Sequence, residues 1–366
     1  MSVPHTRRSF LRRAAEVTVF AGLGPARSSD EAPRPPRKRA LLVAVSEYQR
    51  KDDPRQRQTG AWWNLPTAHN VRLLEKALQK QGFLRENILT VVDRAARSGG
   101  QPHRNQYAAT KVDILSAARD HLLNGIIPGD FWMLYLAGHG QQIEDGTRVR
   151  DEPDGMDESL VPVDWEHANA RLAGTKNLRD DDLRHLINEF TRKRCEFNGQ
   201  LGGVVILDTC CAGTLHLGAG LVRQGRAWDV QSDGPLPPDA VPPDADTMRP
   251  AGFRGVGKHC WPVLMATGEK GLAYAFSGGA LPRALREENL EPGSLFTQGL
   301  CRQLEQQKNP GAPLTYQRLL DNAKGDMARW MTAFVGNGNV PEYAVQCPYG
   351  DGPLNTPIFC SPARPG

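Results

Sequence analysis

Two residue types in this chain could form a covalent catalyst. Cys210 and Cys211 close the run Val204-Val205-Ile206-Leu207-Asp208-Thr209, and His139 stands between Gly138 and Gly140 behind the apolar stretch 131–136. A cysteine nucleophile needs a base to form thiolate and donors to hold the oxyanion of the attacked carbonyl. A glycine-flanked histidine offers the base, room for a substrate backbone, and an unencumbered amide at Gly140. Each feature alone has a plainer reading. Free cysteine is among the most buried residue types, and a lone histidine is ordinary core or surface material. Both together, each behind an apolar run, are much harder to dismiss as core packing.

Such residues need a frame that brings them to one place. Residues 38–48 (KRALLVAVSEY) read as a buried strand, as do 88–93, 131–136, the run ending at Asp208, and 260–268. Between them lie amphipathic helices. Residues 64–81 carry Val71, Leu74 and Leu78 at helical spacing, with Pro66 in the first turn and Gly82 as the stop. Thr110 caps a second helix with Val112, Leu115, Ala118 and Leu122 on one face. Residues 294–306 and 315–331 form two more, and 343–350 with 356–360 supply a short edge strand. Continuous apolar strands alternating with helices predict an α/β three-layer sandwich, a mostly parallel sheet of about six strands flanked by helices. Active sites in such sheets lie beyond the carboxyl ends of the strands, where His139 and Cys210 both fall.

The motifs YLAGHGQQ (135–142), DEPDGMDESLVPVD (151–164) and DTCCAGT (208–214) resemble those of metacaspases and other caspase-like cysteine peptidases. The family pattern is a buried strand ending in S-G-H-G, then D-E-x-D-G-x-D-E, then D-S-C-H-S-G. The resemblance runs from Lys38 through Cys210 and, more faintly, through 263–275 and 293–300. It implies the caspase-like version of the sandwich. It makes His139 the general base, Cys210 the nucleophile, and the backbone amides of Gly140 and Cys210 the oxyanion donors. Asp208 takes the place of the acid that lines the specificity pocket and favours Arg or Lys before the scissile bond, since a carboxylate pairs well with a guanidinium. Asp208 as a structural acid bonded to nearby backbone is the other reading.

The chain departs from the pattern at several positions. Ala68 and Val71, within LPTAHNV (65–71), replace a cysteine and a second pocket acid, and Ala137 replaces the serine before Gly-His-Gly. Cys211 stands where a histidine is usual. Neighbours leaving a strand point to opposite sides, so only one of the two thiols can face His139, and the register assigns that place to Cys210. The resemblance also implies a calcium site at Asp154, Asp180 and Asp181, carboxylates suited to a hard cation, but Leu217 replaces a further aspartate. RDDDLRHLI (179–187) reads equally as a helix start whose acids face the helix dipole.

Composition narrows the rest. Of a net charge of +4, the first 28 residues account for all: Arg7, Arg8, Arg12, Arg13 and Arg27 against Glu16. The remainder is near neutral, so no nucleic-acid footprint is expected. TRRSFLRRAAEVTVFAGLGPARS (6–28) resembles a twin-arginine export signal for a periplasmic or extracellular protein, the cytoplasm being the location otherwise. No apolar run of the roughly 18 residues needed to span a membrane is present. Four segments are expected: 1–37 as signal and Pro-rich linker, 38–217 with the His/Cys dyad, an exposed Pro/Asp-rich loop over 218–258 holding Arg223, Arg226, Arg249, Arg254 and Lys258 as processing sites, and 259–366 completing the same domain. The seven cysteines show no zinc spacing, and the odd number leaves at least one thiol free or paired with another molecule. The expected partner is a polypeptide substrate, with a monomer favoured. A catalytically weak or inactive relative used as a binding or regulatory protein is the alternative. A serine hydrolase would need a G-x-S-x-G elbow and a metallohydrolase an H-E-x-x-H helix, and neither is present.

Overall fold

The continuous apolar runs form the middle of one sheet. In the computed structural model the described residues are 34–48, 64–93, 107–144, 156–165, 176–209, 221–222, 260–267, 273–276, 283–306, 313–335, 346 and 348–360. Cys210, Cys211, Asp154, Leu217, the twin-arginine stretch and nearly all of 218–258 lie outside them. The chain divides into Met1–Pro35 and Pro36–Gly366, and all of the strands and helices named below belong to the second unit.

The strands of the main sheet are β1 (Lys38–Ala44), β2 (Ile88–Val92), β3 (Phe131–Gly138), β7 (Gly202–Thr209), β9 (Val263–Met265) and β12 (Tyr349–Asp351). Their spatial order is β12-β9-β7-β3-β1-β2, parallel throughout except for antiparallel β12 at one edge. Two three-stranded sheets accompany it. One joins β4 (Gly140–Glu144), β5 (Met156–Leu160) and β6 (Leu178–Arg179). The other joins β8 (Leu221–Val222), β10 (Tyr274–Phe276) and β11 (Gly293–Ser294). The helices are α1 (Thr67–Lys80), α2 (Lys111–Ala117, continued by a wider turn over Ala118–Leu123), α3 (Asp180–Glu196), α4 (Arg283–Glu287), α5 (Leu295–Gln306) and α6 (Tyr316–Val335).

Side-chain alternation along the strands divides the core into two layers. Leu42, Tyr135 and Ile206 face α1, α5 and α6, whereas Leu41, Leu134 and Val205 face α2 and α3. The expected three-layer α/β sandwich with six central strands is therefore what the chain forms.

Details differ from the sequence reading for local reasons. The first strand stops at Ala44 instead of Tyr48 because Asp93 accepts the amides of Ser46 and Glu47, and Asn64 Oδ1 accepts that of Tyr48 at 2.8 Å. These bonds replace ladder bonds and turn the chain out of the sheet. At the carboxyl-terminal end, β12 is the expected edge strand, but 356–360 contributes only an isolated bridge between Pro357 and Thr315. Leu221 and Val222, within the stretch expected to be loop, pair with Ala275 and Tyr274.

Candidate active site

β3 and β7 run side by side in register, with Gly138 paired to Thr209. His139 follows the first directly, and Cys210, outside the described residues, follows the second in sequence. His139 is fully buried, its ring meeting that of Tyr48 edge-on with centroids 4.6 Å apart. Its backbone N–H donates to the Tyr48 hydroxyl at 2.8 Å, and its carbonyl accepts from Val161 N at 2.9 Å. Gly138 must be glycine, because an added Cβ would lie 2.6 Å from Tyr48 Oη.

The chain then enters β4. Gly140 is paired with Leu160 of β5. Because the bond from Val161 to His139 makes that pair the hydrogen-bonded one, Gly140–Leu160 is the non-bonded pair of the ladder, and the Gly140 N–H points away from β5. The amide one residue past His139 is therefore not used in the ladder to β5.

Asp208 is fully buried on the face of the sheet covered by α1 and α5. Its Oδ2 accepts from Asn70 Nδ2 at 2.9 Å, Tyr135 Oη at 2.9 Å and Thr297 Oγ1 at 2.6 Å, and its Oδ1 accepts from Ser294 Oγ at 2.8 Å. Asn70 also accepts the Ser294 amide at 2.8 Å, so α1, β3, β7 and the β11–α5 junction meet at one carboxylate. These four bonds come from side chains. The donors are uncharged. Val71 and Ala137, the residues at the altered positions, are buried in the adjoining core, and Ala68 is half-buried. The sequence reading missed Asn70, Tyr135, Ser294 and Thr297. A signal existed for the first: Asn70 lies on the same face of α1 as Leu74 and Ala77, and a buried amide demands partners.

Two of the acids that the resemblance implies for calcium, Asp180 and Asp181, sit at the start of α3. α3 begins at Asp180, so the helix-start reading of 179–187 holds, with Asp180, Asp181 and Asp182 in its first turn. Asp180 is buried, and its Oδ1 has no hydrogen-bond partner among the described residues. Burial, then the carboxylates of Asp157 and Glu158, push its pKa up to about 8. Asp181 is ion-paired with Arg184, and Asp157 with Arg179. Clustered carboxylate oxygens are the donor type a calcium ion takes, but Asp181 and Asp157 are each engaged by an arginine. No three His, Cys, Asp or Glu side chains converge on a metal position among the described residues, and Asp154 lies outside them.

Of the thiols, Cys195 and Cys360 are exposed, Cys260 is intermediate and Cys301 is buried, and all four are free. Burial raises the Cys301 pKa far above that of an ordinary thiol, so it is inert packing. No helix among the described residues is long and apolar enough to cross a membrane.

An α/β sandwich with a histidine at the carboxyl end of a central strand, beside a strand leading into cysteine, is the frame of a thiol-dependent hydrolase. Residues 37–347 match the caspase domain family of cysteine peptidases (Peptidase_C14), and the chain belongs to that family. It is 22% identical over 178 residues to Metacaspase-1 of Mycosarcoma maydis, covering 49% of this chain and 36% of that protein. It is 32% identical over 135 residues to Metacaspase III c of Phaeodactylum tricornutum, covering 37% of this chain and 33% of that protein. The matches thus span about a third of the length of these relatives. A crystal structure of a Geobacter sulfurreducens protein superposes with a TM-score of 0.50 at 17% identity, over 90% of this chain and all of that one, a likeness of fold.

Proposed function

We propose that the chain is a cysteine endopeptidase with Cys210 as nucleophile and His139 as general base, cleaving after Arg or Lys. His139 takes the Cys210 thiol proton as sulfur adds to the scissile carbonyl, and the oxyanion draws on the amides of Gly140 and Cys210. The C–N bond breaks, His139 returns the proton to the leaving amine, and water then hydrolyses the thioester. The observation that carries this reading is the register Gly138–Thr209, which sets the end of the histidine strand beside the end of the cysteine strand. The buried negative charge of Asp208 supports selection of a basic residue. Asp180 and Asp181, with Asp154, would hold a calcium ion, whose charge would relieve the repulsion around Asp180.

A fluorogenic peptide ending in Arg or Lys, turned over by the wild type and not by Cys210→Ala, tests the assignment. Equal rates in the two proteins would leave the binding or regulatory reading, which the replacement of pocket residues by Ala68, Val71 and Ala137 favours. The export signal in 6–28 and cleavage at the basic residues of 218–258 belong to the same proposal, as does the monomeric state. Intact mass measured with and without calcium tests the cleavage, and a single uncut species in both conditions would count against it.

A further inference from the structure

We propose that Tyr48 is a positioning residue for the catalytic base, its hydroxyl occupying the place of a missing strand bond at His139. This rests on the reading of His139 as base. The pair His139–Val161 continues the β4–β5 ladder by one step beyond Gly140–Leu160. A hydrogen-bonded antiparallel pair exchanges two bonds, each N–H donating to the opposite carbonyl. Here only one is direct, from Val161 N to His139 O at 2.9 Å. The other is relayed: His139 N–H donates to Tyr48 Oη at 2.8 Å, and the Tyr48 hydroxyl donates to Val161 O at 3.2 Å.

Inserting one oxygen on one side of the pair while the other side stays closed splays the strands asymmetrically. The relay thus holds the peptide unit that carries the His139 N–H, and the direct bond to Val161 holds the next one, which carries the Gly140 N–H. The tyrosine ring then packs edge-on against that imidazole. One side chain thus sets the backbone of the base and braces its ring.

Tyr48 is itself held from several sides. Asn64 Oδ1 accepts its N–H at 2.8 Å, Trp165 Nε1 donates to its carbonyl at 3.3 Å, and Asp93 pins the two preceding amides. The Gly138 position leaves the hydroxyl its room, since a Cβ there would sit 2.6 Å from it. A hydroxyl needed only to satisfy a buried phenol would not require glycine at the strand end and two backbone partners on different strands.

The test is Tyr48→Phe, which keeps the ring and removes the relay. The expected result is a fall in kcat of roughly ten- to a hundredfold, the scale of an ångström-level misplacement, with KM within about twofold. The acid limb of the kcat/KM pH profile moves with it, and the thermal midpoint changes little. In parallel, the pH dependence of iodoacetamide alkylation at Cys210, mapped by peptide mass, is compared in the wild type and Tyr48→Phe. This reads the thiolate poised by His139 without any peptide substrate. A displaced alkylation profile supports the relay even where no peptide is cleaved, in which case only the peptidase reading fails. An unchanged kcat and an unchanged alkylation profile in Tyr48→Phe would overturn the proposal, as would losses of rate that follow the thermal midpoint alone.

Discussion

Asp208→Asn separates the two things this carboxylate can do. The side chain keeps its shape. An amide NH2 placed at Oδ1 meets the Ser294 hydroxyl, now 2.8 Å away as a donor, which can rotate to accept. The remaining oxygen keeps Asn70, Tyr135 and Thr297 as donors. Each of these bonds loses charge assistance, about 1 kcal/mol apiece, against which stands the removal of a buried charge that costs several kcal/mol to desolvate. The fold is therefore expected to survive, and the effect to fall on substrate choice. Asp208 is fully buried, with three donors crowded on Oδ2 and the Ser294 hydroxyl over Oδ1, so a substrate guanidinium meets it one hydrogen-bond layer away. At about 7 Å and an effective dielectric near 20, the attraction is about 2.4 kcal/mol, or ~50-fold in kcat/KM. A direct buried pair would be worth about 3–5 kcal/mol, a hundredfold or more. The assay is kcat/KM for matched peptides ending in Arg or in norleucine, on wild type and Asp208→Asn. The expected outcome is that the Arg preference drops by about 50-fold while the norleucine rate holds. An unchanged Arg-to-norleucine ratio would refute the idea that Asp208 reads charge, and a drop beyond a thousandfold would refute the indirect geometry.

Two further outcomes follow from burial. Asp93, its pKa raised to about 6 chiefly by burial, holds a proton more tightly folded than unfolded, so its contribution to stability is full below about pH 4 and is lost as pH rises through 6. Unfolding free energies from urea titrations across that window should fall with rising pH by at most about 3 kcal/mol, and Asp93→Asn should flatten the slope. Phe190, fully buried and stacked on Trp132 with centroids 4.1 Å apart, should cost about 3–5 kcal/mol as Phe190→Ala, whereas Val112→Ser, at a side chain 72% exposed, should stay within about 0.5 kcal/mol, both read by denaturant titration.

Legibility in the sequence followed burial. β1, β3 and β7 are covered on both faces and read as unbroken apolar runs, so the central sheet and the strand ends that carry the site were recoverable from pattern alone. β4 and β5 were not. GQQIE and MDESL have no strand signature, because their strand character comes from pairing with one another, and Asp157 and Glu158 are buried all the same. β8, β10 and β11 are too short, at two or three residues, for any period to register. The partners of Asp208 come from α1, β3, β11 and α5, far apart in sequence, and only the fold brings them together. Tyr48 reads in the sequence as the end of a strand. Its role depends on leaving the sheet there, which the Asp93 and Asn64 side chains bring about from other parts of the chain.

The residues between 222 and 260 join two halves that are also bound to each other at several places among the described residues. β7 pairs with β9, β8 with β10, and Asp208 reaches Ser294 and Thr297. A cut in that interval would leave these pairings to hold the two halves together, so the fragments are expected to co-elute on gel filtration under native conditions and to separate only in denaturant.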